Sequence, residues 1–178
     1  MEKNVENKQM KLKKIAPLGL LTSLALLLSY VEFLLPPIFA AVPGIKIGLP
    51  NVVIIYLLYC MGVKYAFAVS LTRVFLSALL FGNTVTLAYS LAGAIVSLTV
   101  MSLLKLSDKL TAVGVSVAGG VTHNLGQVVV AAVILNTPEI GYYMTVLTVT
   151  GAFSGIFIGL CGALMIKRVP PEKIFRSR

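Results

Sequence analysis

The chain has 178 residues, of which 58% are hydrophobic and 12% charged, and it carries a net charge of +9. Soluble domains average roughly 45–50% apolar and about 25% charged residues, so a water-facing shell is excluded and lipid has to be the outer solvent of one compact bundle. The basic residues sit in the first fourteen positions, in short connections and in the tail, without interleaved aromatics; this pattern speaks for membrane orientation and against a nucleic-acid partner.

A hydrocarbon core about 30 Å thick takes about twenty helical residues. That ruler predicts six spans, at 15–35, 47–62, 65–81, 84–104, 111–135 and 141–166. A basic N-terminal segment (1–14) precedes the transmembrane domain (15–168), and a basic tail (169–178) follows it. Turn-forming punctuation separates the spans, including Pro36-Pro37, Gly82-Asn83 and Asn136-Thr137-Pro138.

The first span follows Lys11, Lys13 and Lys14. Its apolar run from Ile15 to Leu35 exceeds the roughly 7–15 residues of a signal-peptide core, so it reads as a retained helix. Ala16, Gly19 and Ser23 form a small-residue stripe in its cytoplasmic half, suited to close packing against the protein's own helices or against a partner. Glu32 lies one turn below the outer end. The connection 36–46 is apolar and rich in proline and glycine, and is expected to be either a lid over the outer face or a loop packed on the helix ends. Lys46 would close over a ligand with it.

Pro50 interrupts the second span and leaves Asn51 to Gly62 as helix, roughly 18 Å long and short of the full hydrocarbon thickness. Proline suits a first helical turn. Ile45 to Leu49 is therefore expected to be irregular, its backbone facing protein or a water-filled cavity together with Asn51.

In the third span Arg73 lies near the middle, where arginine costs about 2.5–3.5 kcal/mol on insertion scales. It has to face an ion-pair partner such as Glu32, or a ligand. The fourth span offers Tyr89, as a binding group or an interfacial anchor, and the Ser90, Gly93, Ser97 face. The fifth carries the densest polar group, Gly119-Gly120-Val121-Thr122-His123-Asn124-Leu125-Gly126-Gln127. At about 100° per residue His123, Asn124 and Gln127 share one face with Gly120. That face serves either a ligand or interhelical hydrogen bonding.

Orientation follows from the basic residues. With the N-terminus inside, thirteen of the fifteen Lys and Arg residues fall on the cytoplasmic side, leaving Lys46 outside and Arg73 within a span. Both termini are thus expected in the cytoplasm, and Cys60 and Cys161 near that side should stay reduced.

Catalytic signatures are missing. Asp108 is the only aspartate, so paired Asp-rich magnesium-diphosphate clusters cannot be assembled. The chain lacks a P-loop, and one histidine with two separated cysteines makes a poor zinc site. Neither an enzyme nor a cofactor is expected.

The strings Pro43-Gly44-Ile45-Lys46-Ile47-Gly48-Leu49-Pro50-Asn51, Leu71-Thr72-Arg73-Val74, Tyr89-Ser90-Leu91-Ala92-Gly93 and Gly120-Val121-Thr122-His123-Asn124-Leu125-Gly126-Gln127 together resemble one membrane family. It is the Gx transporter or heptaprenyl diphosphate synthase component I family, which is similar to the substrate-binding S components of energy-coupling factor (ECF) importers. The resemblance implies an all-α, six-helix S-component bundle of the bacterial cell membrane. Such a bundle takes up a small vitamin-like or isoprenoid- or quinone-related precursor and docks with a transmembrane coupling subunit and ATPase subunits. S components of the shared-module type dock through a small-residue motif on the first helix, often Ala-x-x-x-Ala; the matching stretch here, Gly19-Leu20-Leu21-Thr22-Ser23, departs from it but keeps both positions small. A membrane accessory role in isoprenoid, quinone or electron-transfer machinery is the alternative, and a stand-alone secondary transporter a third.

Overall fold

The computed structural model describes residues 2–35, 47–136, 142 and 144–170, with side chains throughout these except at 2–14 and Leu135. Among the described residues there are six α-helices: α1 (Glu2–Leu34), α2 (Asn51–Cys60), α3 (Val63–Phe81), α4 (Thr84–Leu106), α5 (Ala112–Leu135) and α6 (Met144–Arg168). Five contain stretches long and apolar enough to cross a membrane, and α2 is the short exception.

The main difference from the expected boundaries is at the N-terminus. Helix α1 begins at Glu2 and runs for 33 residues, so the basic segment continues the first span as one helix. Residues 2–14 contain neither Pro nor Gly and are rich in Lys, Glu and Gln, which are good helix formers. The apolar part of the helix is Ile15–Leu34.

Helix α2 is the centre of the bundle. Its ten residues span roughly 15 Å, about half the hydrocarbon core. Val53 to Leu58 are each no more than 1% exposed, as expected of a helix that is apolar all round. Leu21 and Ala25 of α1, Leu98 and Met101 of α4 and Val115 of α5 close around it.

Both ends of α2 are tied by polar side chains. At its start a tight turn places Gly48 at φ +79°, a conformation that favours glycine. The Gly48 N–H donates to the Glu32 carboxylate. At its other end Lys105 donates to the Leu58 carbonyl at 2.6 Å and lies 5.3 Å from the centre of the Tyr59 ring. Tyr56 donates to the Val169 carbonyl at 2.9 Å.

These ties also fix which ends lie together. Tyr30 and Phe33 near the end of α1 pack on Phe81 at the end of α3. The end of α2 adjoins the start of α3, the end of α4 through Lys105 and the end of α6 through Val169. The start of α1 and the end of α6 therefore face the same side, although among the described residues five helices have full spanning length.

Helices α4, α5 and α6 meet at glycines. A Cβ added to Gly120 on α5 would lie 2.3 Å from the Gly151 carbonyl oxygen of α6, and one on Gly155 would lie 2.6 Å from Val117 Cα. Between α5 and α4, a Cβ on Gly126 would come within 3.1 Å of Gly93 Cα. Without side chains in the way the backbones come close enough to gain dispersion contacts that lipid cannot supply.

Candidate solute-binding cavity

Arg73 projects from α3 towards the start of α2, where its Nη2 donates to Asn51 Oδ1 at 3.1 Å. Its Nε is buried without any hydrogen-bond partner. A guanidinium carries five N–H donors and accepts nothing, so a buried donor left over is costly unless an acceptor arrives. Glu32 stands within electrostatic reach of the same guanidinium, while its carboxylate receives the Gly48 N–H.

These groups line one cavity of about 80 Å³ inside the bundle, against roughly 10–15 Å³ needed for a single water. Glu32, Asn51 and Arg73 face His123, Asn124 and Gln127 across it. The polar face of α5 and the charges of α1 and α3, recognised separately in the sequence, thus share one internal space.

Of the other sequence-selected positions, one is placed outside the cavity lining and one is not described. Tyr89 does not line the cavity, whereas its neighbour Ser90 does. Lys46 and the connection 36–46 lie outside the described residues. The stripe of Ala16, Gly19 and Ser23 is exposed on the outside of α1, and a Cβ on Gly19 would meet nothing within 4 Å. It does not pack against the protein's own helices.

The cluster on α5 also performs structural work. Asn124 Nδ2 donates to the Leu147 carbonyl of α6 at 2.7 Å, and a Cβ on Gly93 would strike the His123 carbonyl and Gln127 Cγ, each at 2.8 Å. The interhelical hydrogen bond and the cavity face coexist on one helix.

Sequence reasoning did not select Ser29, Ser77, Ser116 or Ser154, which also line the cavity. Helical spacing from selected residues points to three of them: Ser29 lies three positions before Glu32, Ser77 four after Arg73 and Ser116 four before Gly120. Ser154 had no such anchor, because α6 has no selected polar residue. Its hydroxyl donates to the Gly151 carbonyl at 3.1 Å, and Ser97 donates to the Gly119 carbonyl at 2.9 Å.

Together the fold and the cavity define an all-α, polytopic membrane protein with a cavity between its helices that several polar side chains line. A family model described as heptaprenyl diphosphate synthase component I matches residues 21–165. The chain belongs to that family, as a non-catalytic membrane accessory component, and this membership agrees with a multi-pass protein of the bacterial cell membrane. No curated protein and no solved structure matches it. Among the described residues no group of three or more His, Cys, Asp or Glu could hold a metal ion.

Proposed function

We propose that this chain serves a larger membrane assembly by holding a small polar molecule in the cavity around Arg73. The carrying observation is the Arg73 Nε, buried and without an acceptor in a cavity roomy enough for one. A cation inside a membrane bundle is costly. Holding a ligand is a reason to retain it that packing does not supply. Glu32, Asn51, His123, Asn124 and Gln127 are the further contacts of the bound molecule, and Lys46 and Tyr89 are proposed as groups at its rim.

The family description favours an assembly of isoprenoid or quinone synthesis, with the subunit holding a precursor or lipid beside a partner enzyme. Its test is co-purification: affinity-tagged full-length protein should bring down prenyl-transfer or redox enzymes. A second reading, the S component of an ECF-type importer, is favoured by the outward face of α1, where Ala16, Gly19 and Ser23 remain uncovered. On that reading the stripe docks a coupling subunit, and ATPase subunits should co-purify instead. Either way the protein should retain a small molecule that the Arg73→Ala variant loses, and an intact function in that variant would remove the proposal.

Both readings put the termini in the cytoplasm. Lys64, Lys105, Lys109, Lys167 and Arg168 flank helix ends on the side shared by the start of α1 and the end of α6, in line with the positive-inside rule.

A further inference from the structure

The cavity's proton inventory specifies more than a polar guest. Beside Arg73 two groups have protons to offer: Arg73 Nε has no acceptor, and the Asn51 carboxamide oxygen already accepts from Arg73, which leaves its NH₂ to donate, while the Glu32 carboxylate takes the Gly48 N–H and the Ser77 hydroxyl spends its proton on the Val74 carbonyl. The first amides of α2 add nothing, because Asn51, Val52 and Val53 donate to the carbonyls of Gly48, Leu49 and Pro50. On the α4–α6 side hydroxyl and amide oxygens are left to accept. Ser97 and Ser154 spend their only protons on backbone carbonyls, and Asn124 spends an amide proton on Leu147, so each offers oxygen lone pairs. Gln127 can turn either way.

Building on the reading that the cavity holds a solute, we propose that its ligand is bipolar: an oxyanion, carboxylate or phosphate, seats on Arg73 and Asn51, while a hydroxyl or N–H group at its other end donates to Ser97, Asn124 and Ser154. An oxyanion meets the demand of the guanidinium, being acceptor-only and matched to its planar fork. A donor at the far end meets hydroxyl and amide oxygens whose lone pairs remain open.

The test uses full-length protein and three probes: glycerol phosphate, which carries both ends, methyl phosphate, which carries only the oxyanion, and glycerol, which carries only the donors. Titration calorimetry in uncharged detergent should rank them in that order, with glycerol phosphate at least about ten-fold tighter than methyl phosphate, the worth of one or two hydrogen bonds. Arg73→Gln should lose both phosphates and Arg73→Lys should keep weakened binding, which separates loss of the site from misfolding. Ser154→Ala should lower the preference for glycerol phosphate over methyl phosphate and leave methyl phosphate itself unaffected. Repeating the titration in nanodiscs containing phosphatidylglycerol identifies the source: a lipid headgroup already in the site would abolish the glycerol phosphate signal, and a free solute would not.

Equal affinity for the two phosphates, preference for glycerol, no binding of any probe, or unchanged binding by both Arg73 variants would overturn the proposal. A neutral or purely cationic molecule extracted from the cavity would do so too, while leaving the occupied cavity standing. Protein that is empty and indifferent to substitutions on both walls would instead defeat the underlying reading.

Discussion

The two halves of the bundle are built on different principles. Helices α4, α5 and α6 meet backbone to backbone, with Gly120 against Gly151 and Gly126 against Gly93. Helices α1, α2 and α3 hold the buried α2 core, the glycine turn at Gly48 and both charged cavity residues, Glu32 and Arg73. One half supplies a wall that has no room to give, and the other supplies charge on elements joined by side-chain hydrogen bonds. The cavity lies where the two meet, so changes in each half should fail in different ways.

The largest effect belongs to the glycine wall. Gly120→Val would push a side chain into the Gly151 carbonyl oxygen, 2.3 Å from the nearest possible Cβ. Overpacking of that kind costs about 1–3 kcal/mol or more, and thermal unfolding in detergent should show a strongly destabilised or aggregated protein. Arg73→Met combined with Glu32→Gln should do the reverse. Removing both charges of a buried pair is often neutral or stabilising by about 1–4 kcal/mol, so this double variant should unfold no earlier than the parent while losing its ligand. A variant that loses both fold and ligand would mean that the pair is structural.

Lys105→Ala is expected to be intermediate. It leaves the Leu58 carbonyl without its 2.6 Å donor and removes the cation above Tyr59. A lost hydrogen bond and cation–π contact together amount to about 1–3 kcal/mol, readable as a lower unfolding temperature with ligand retention unchanged. The smallest expected effect is at Gly19, whose Cβ would meet nothing within 4 Å. Gly19→Leu should stay within about 0.5 kcal/mol of the parent in stability, yet diminish recovery of partner subunits in a pull-down. Intact recovery would show that no partner docks on that stripe.

Much of this division was legible in the sequence. The spans could be cut with a length ruler because lipid demands about twenty apolar residues of a crossing helix. Pro50 marked the half-length of α2 because proline starts helices and breaks their interiors. Arg73, Glu32, Asn51 and the His123–Gln127 face were visible as polar groups where polar groups are expensive. Less was legible where the signal depends on the third dimension. The Ser154 hydroxyl looks like any serine in an apolar helix until α6 is set against α5, and only the packed helices show that of Tyr89 and Ser90 it is Ser90 that lines the cavity. The continuation of α1 back to Glu2 was hidden because the change from apolar to basic residues marks where lipid ends and says nothing about where a helix ends.

Native mass spectrometry of gently purified protein, comparing the parent with Arg73→Ala, tests the occupied chamber most directly. The account predicts one small molecule per parent chain and none on the variant at matched folded fraction. A parent chain that flies empty, or a variant that carries the same adduct, would contradict it.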